Sequence, residues 1–386
     1  MPFKLNSYLL PTIILIGLVS AAFHGLGLIK GVPWHIVFSD VLGFYDRVSA
    51  PGFPYIDKLM EYPVITGVFI QLMGIIGKGR TAYYFWGSAF LIALAVAATY
   101  ILGKITAPFG GLMASPSAQL RTSPENQKKI FTFWIFAPSM IFFAVYNWDL
   151  LALLFTVTAF YFMQKEKNGW ASFFLALGFA SKFFPIIYLA PLLLKNYSNV
   201  LKNIRIAGIF IVTAVVVNLP FALLNFNGWS YFFILNSLRD SNPDNIWTIG
   251  RFLFRGLDVP AINTLSLLLF AFSYLWVLIK YSRENILKLC FLGTLLFLLT
   301  NKVFSPQYLL WLLPFFVLLP APKLSWFYTL EFSNLASLFL ILPWFFLGHD
   351  IKYFYYTIPF VLIRHAALIA IFTTAAKTKM PGLIRK

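Results

Sequence analysis

The chain has 386 residues, of which 60% are hydrophobic and 19% aromatic, with only 11% charged. That balance is too apolar for a soluble globular protein and places the chain among polytopic membrane proteins. A formal net charge of +17 would suit a nucleic-acid partner, but the Lys and Arg residues sit in short loops between apolar runs, as topology signals do. Nucleic acid is therefore set aside.

A helix needs about 20 apolar residues to cross a hydrocarbon layer of roughly 30 Å, and such runs recur along the whole length, so we expect an all-α integral membrane bundle of about 11 to 13 transmembrane or re-entrant helices. One domain over residues 1–386 is expected. The first apolar run, residues 8–29, follows Lys4 and is read as an uncleaved span that delivers residues 30–80 to the extracytoplasmic face. Residues 64–76 are too short to span comfortably and begin after Pro63; they are read as an interfacial helix within that first loop.

Residues 81–102 return to a basic loop holding Lys104, Arg121, Lys128 and Lys129. Residues 130–145 and 150–163 form the next pair, turning at Tyr146-Asn147-Trp148-Asp149 and returning to Lys165 and Lys167. Residues 169–194 lie between two basic loops and are interrupted by Ser181-Lys182 and Pro185, so they must fold back; broken backbone at depth is tolerated only inside protein or beside water. Residues 206–224 then lead to a long polar loop, 225–260, with Arg251. The remaining expected spans are 261–279, 289–300, 309–319, 326–347 and 355–376, ending at Lys377, Lys379, Arg385 and Lys386.

The chemistry is expected in the first loop. It holds Asp40, Asp46, Asp57 and Glu61, four of thirteen acidic residues in the chain. Asp40 follows the first span closely and is the first choice for a general base, with a helix-capping role as the alternative. Asp46, beside Arg47, is the rival base or an ion-pair partner. Cations then recur where none is needed for topology: Lys182 at the break, Lys302 in the polar sequence Asn301 to Tyr308, Arg251 in the polar loop, and Arg364 inside the last span. An ionised Lys at mid-bilayer costs about 2.5 to 3.5 kcal/mol on insertion scales, and a phosphate would offset that. Lys182, Lys302 and Arg364 are thus candidate phosphate ligands; for Arg364 an internal salt bridge is the alternative. Tyr45, Glu61, Asn147, Asp149, Arg251, Ser305, Gln307 and Tyr308 are candidate substrate contacts, while Tyr62-Pro63 is read as fixing the start of the short helix. The four His residues include no HExxH, and Cys290 is the only cysteine. No His/Cys metal site is expected and no cofactor is assigned, although a carboxylate-bound divalent ion in the acidic loop stays open.

A carboxylate facing cations suits sugar transfer from a polyprenyl phosphate: the leaving phosphate needs positive charge, and the acceptor hydroxyl needs a base. The order of motifs strengthens this. Ser39, Asp40 and Tyr45 form SD-x4-Y, followed by Pro54-Tyr55 with Asp57, and then Glu61-Tyr62-Pro63. Asn147 with Asp149, Lys182 with Pro185, and NKVFSPQYLLWLLP from Asn301 to Pro314 complete the series. This pattern resembles glycosyltransferase family 87 of the GT-C superfamily. The resemblance implies an extracytoplasmic active site with Asp40 catalytic, polyprenyl-phosphate-mannose as the commonest donor, a lipid or glycan acceptor, and an inverting, usually metal-independent route. The chain departs from the family in having Pro63-Val64 rather than two prolines and no acidic neighbour to Asp40, which leaves Asp46 in play.

Two other readings share the composition. A transporter or flippase for a lipid-linked or anionic substrate would also use broken helices and buried cations, but its repeated halves are missing from the sequence. A non-catalytic subunit of an envelope-assembly complex would make Asp40 replaceable.

Overall fold

A computed structural model of the chain describes residues 7–107, 123–254 and 256–379. Lys4, Arg121, Arg385 and Lys386 lie outside them. The described residues form an all-α bundle whose helices are α1 (Leu9–Gly25), α2 (Trp34–Val37), α3 (Asp40–Gly43), α4 (Tyr45–Ser49), α5 (Val64–Ile76), α6 (Arg80–Thr106), α7 (Pro124–Ile130), α8 (Pro138–Phe143), α9 (Asp149–Gln164) and α10 (Asn168–Ser181). They continue with α11 (Leu189–Lys195), α12 (Val200–Leu224), α13 (Phe226–Leu238), α14 (Ile246–Leu253), α15 (Val259–Lys280), α16 (Ile286–Thr300), α17 (Leu313–Leu318), α18 (Leu324–Phe346) and α19 (Ile351–Lys377). Among the described residues six helical stretches are long and apolar enough to cross a membrane: α1 with its 3-10 extension to Leu28, α6, α12, α15, α18 and α19. The protein is a multi-pass membrane helix bundle.

Helix ends sort into two groups. At one end Gln164 Nε2 donates to Ile105 O (3.2 Å) and Asn126 Nδ2 to Thr106 O (2.8 Å), while Lys288 Nζ donates to Thr378 O (2.8 Å). The basic last turns and caps collect here, among them Lys104, Lys129, Lys165, Lys195, Lys280 and Lys377. A cation beside a helix C-terminus is favoured by the carbonyls left free there.

The other end is built from interruptions. Helix α10 stops at Ser181, where Lys182 is extended (φ −161°, ψ 138°) and a 3-10 turn over Phe184–Tyr188 follows; Pro185 lacks the N–H that would continue the helix. The segment then turns back, so that Asn168 Nδ2 at its start donates to Asn196 Oδ1 at its end (3.1 Å). Helix α16 likewise ends at Thr300, and Pro306 opens another 3-10 turn through Trp311 before α17. Side chains from elsewhere satisfy the carbonyls these breaks release: Thr66 Oγ1 donates to Ser181 O (2.7 Å), Trp247 Nε1 to Thr300 O (2.7 Å) and Asn245 Nδ2 to Asn301 O (3.1 Å).

Three segments differ from expectation. Residues 225–260 are not an extended polar loop: α13, α14 and the start of α15 occupy most of them, capped by Asn225, Asn245 and Asp258. The run 130–145 is not one helix, because a π-type turn at Phe131–Ile135 and Pro138 divide it. The run 309–319 is mostly 3-10 turn and a six-residue helix. The short α5 starts and finishes at the interrupted end: its Gly67 packs under Tyr55, its Gly74 against Val48, and Gly77 beyond it on Tyr83 at the start of α6.

Candidate functional site

The loop carrying Asp40 is held on both flanks. Ser39 Oγ accepts from Leu42 N (3.3 Å), an N-cap that starts α3 at Asp40, and Val41 N donates to Tyr146 O (3.3 Å) across the bundle. Further along, Lys58 Nζ donates to Arg47 O (3.0 Å), Val48 O (3.2 Å) and Ala50 O (2.9 Å), closing the C-terminus of α4. Tyr55, at φ 69°, turns its hydroxyl onto Tyr62 O and Pro63 O, both at 2.8 Å. Only a residue without a side chain lets the ring pass, since a Cβ at Gly67 would overlap that hydroxyl. The result is a fixed Tyr62, whose hydroxyl donates to Asp40 Oδ2 (3.3 Å).

Around this pair stand Phe44, Tyr62 and Trp148, mutually edge-on with centroids 5.1 to 5.3 Å apart. Asp40 is recessed yet retains part of its surface. Burial pushes its carboxyl up to about 7, with the Lys182 charge acting against the rise and the Glu61 and Asp149 charges adding to it. A carboxyl poised near neutrality is suited to take a proton.

Lys182 faces Asp40 from the break after α10. Its ammonium is ion-paired to Asp149 Oδ1 and lies over the rings of Tyr308 (4.8 Å) and Trp311 (5.6 Å). Asp149, at the first turn of α9, is buried, and its own N–H donates to Asn147 Oδ1 (3.0 Å). The Trp311 indole lies against Asp149 without hydrogen-bond geometry, so its buried N–H and Asp149 Oδ2 both lack a protein partner. Tyr308 and Phe184 stack on the two sides of Trp311, each with centroids 4.0 Å away.

The structure brings Asp40, Asp149, Lys182 and Tyr308 together, with Asn147 bonded to Asp149 and the Glu61 charge close enough to act on Asp40. Other candidates lie elsewhere. Asp46 is exposed on α4, and Arg47 pairs with Glu61 (2.9 Å) rather than with Asp46. Tyr45 packs on Tyr83 (5.7 Å). Arg251 is paired with Asp240 at the surface. The Lys302 ammonium is spent on Arg239 O, and its own carbonyl accepts from Asn242 N (3.2 Å). Gln307 is buried, and Ser305 opens the 3-10 turn that carries Tyr308.

Arg364 corrects a candidate phosphate ligand. It is fully buried, pairs with Asp244 (3.3 Å), donates to Asn334 Oδ1 (3.1 Å) and lies 3.9 Å over the Phe304 ring. It takes the internal salt-bridge alternative and ties α19 to the loop before α14. The sequence reading gave Tyr62 only a helix-start role, held Trp311 only inside the motif from Asn301 to Pro314 and did not single out Asp244. For Asp244 the signal was that a cation inside a span calls for an anion, and few acids were available.

Among the described residues no three His, Cys, Asp or Glu side chains converge as a metal site requires. In the acidic loop, Asp57 accepts from Phe53 N (2.7 Å) and Glu61 is paired with Arg47.

Comparison with known proteins places the chain in a family. GPI mannosyltransferase 1 of Candida albicans (strain SC5314 / ATCC MYA-2876) is 21% identical over 311 residues, covering 73% of this chain and 72% of that protein. The family model "Glycosyltransferase family 87" matches residues 61–306. That match covers well over half of the chain and takes in Tyr62, Asp149 and Lys182, with Asp40 and Trp311 outside it. The protein is a membrane glycosyltransferase, and the chain belongs to glycosyltransferase family 87.

Proposed function

We propose that the protein transfers a sugar, mannose first among candidates, from a polyprenyl-phosphate donor to a lipid or glycan acceptor at the extracytoplasmic face, with inversion and with Asp40 as base. The observation that carries this reading is the placing of Asp40 opposite the Lys182–Asp149 pair, with Tyr62 on one side and Tyr308 and Trp311 on the other. The acceptor hydroxyl oxygen attacks the anomeric carbon while Asp40 takes its proton. The bond to the phosphate oxygen breaks, and the phosphate leaves toward Lys182 and the unpartnered Trp311 N–H. Donors aimed at developing charge are worth most where water is scarce.

Inversion is supported by the acid count at the site. Asp149 is committed to Lys182, leaving Asp40 as the carboxylate free to act, and one carboxylate supports one displacement. The extracytoplasmic orientation is supported by the gathering of basic residues at the opposite end of the bundle. Mannose is favoured by the name of the Candida albicans relative. Purified protein is given radiolabelled polyprenyl-phosphate-mannose and a lipid extract of its host, alongside Asp40→Asn. Labelled product from the parent and none from the folded variant is expected; equal product from both would move the base to another residue.

A further inference from the structure

His24 is fully buried in the last turn of α1, and nothing in the reaction above uses it. Its Nδ1 lies 3.1 Å from Val37 O, and its Nε2 lies 2.9 Å from Phe142 O at the end of α8. Carbonyl oxygens only accept, whereas a neutral imidazole carries one N–H and one bare lone pair. In either neutral tautomer a nitrogen lone pair would face a carbonyl lone pair at hydrogen-bond distance. Only the ring with both nitrogens protonated satisfies both contacts.

Full burial disfavours such a cation, and two features of the surroundings act the other way. The last turn of α1 presents helix carbonyls, which favour positive charge, and the rings of Phe142, Phe23 and Tyr146 stand 4.9, 5.2 and 5.5 Å from it. The titratable side chains packed nearest are phenols: Tyr146 after α8, and Tyr84 of α6, whose hydroxyl donates to Ala21 O (2.7 Å). Ser20, one turn before His24, also donates to Phe142 O (2.9 Å) and accepts from Val145 N (3.1 Å).

Val37 stands three residues before Asp40. We propose that His24, as the imidazolium, is a positioning residue that pins the chain entering α3 to α1 and α8 and so fixes the Asp40 carboxylate for proton transfer. The proposal rests on the reading of Asp40 as the base. Loss of the proton would turn one contact repulsive and release the segment from one side.

The chain has His24, His35, His349 and His365, so His35→Gln/His349→Gln/His365→Gln leaves His24 as the sole imidazole. Its side-chain 15N resonances near neutral pH are expected to show two protonated nitrogens; one bare nitrogen would overturn the proposal. In transfer assays His24→Gln is expected to lower kcat about 100-fold, the scale of a misplacement near 1 Å, with the donor KM unchanged. The parent should lose rate on the alkaline side as His24 deprotonates, and His24→Gln should lack that limb. Parental kcat in His24→Gln, or an alkaline limb that persists in it, would defeat the idea. The resonance measurement leaves His24 intact, so it decides even if His24→Gln does not fold. An active Asp40→Asn would remove the base assignment, whereas the protonation state of His24 would stand or fall by its own spectrum.

Discussion

Asp149 opens α9 and Lys182 follows α10, 33 positions on in sequence, and the two meet as an ion pair whose charges both act on Asp40. The pair sets one cation and one anion where the proposed donor's phosphate would bind. Its worth is separable into structure and catalysis.

Lys182→Met leaves the Asp149 carboxylate buried without its partner, a change that costs about 3 to 5 kcal/mol. Lys182→Met/Asp149→Leu removes both charges and should recover most of that loss in thermal unfolding while remaining inactive in sugar transfer. Recovery of transfer in the double variant would reduce the pair to a structural role.

Asp40 acts as a base only when ionised, and its carboxyl is pushed up to about 7. The transfer rate should therefore rise about tenfold per pH unit below that value and level off above it, until the alkaline limb assigned to His24 sets in. Tyr62→Phe deletes a hydroxyl that stabilises the ionised form, so the ascending limb should move to higher pH. A limb that stays put or moves lower in Tyr62→Phe would show that the titrating group is not Asp40.

Arg364→Met should act on stability. Without the guanidinium, Asp244 is left buried and unpaired, at about 3 to 5 kcal/mol, and the melting temperature in detergent should fall while the donor KM of the folded fraction holds. Unchanged melting with a raised donor KM would return Arg364 to phosphate binding.

Gly67→Ala places a methyl group against the Tyr55 hydroxyl, an overpacking expected to cost about 1 to 3 kcal/mol. Because that hydroxyl holds Tyr62 O and Pro63 O, transfer should fall together with stability. Parental activity in Gly67→Ala would mean that the loop tolerates movement of Tyr62.

Much of the bundle could be read from the chain because apolar runs and their basic flanks are local signals. Asp40 was legible since acids are rare here, and Lys182 because a cation and a proline interrupt an apolar run. Partnerships were not legible. Arg47 sits next to Asp46 in sequence, yet neighbouring side chains on a helix point apart, and Arg47 reaches Glu61 instead. Arg364 finds Asp244 120 positions away, a pairing that only tertiary packing decides. Helices α13 and α14 were hidden because asparagine and aspartate caps also read as loop residues.

The hydroxyl of Thr66 on α5 is what satisfies the Ser181 carbonyl, one residue before Lys182. Swinging α5 outward to make room for the proposed donor's tail would strip that carbonyl of its donor. Displacement of α5 is thus mechanically geared to the backbone that aims the Lys182 ammonium.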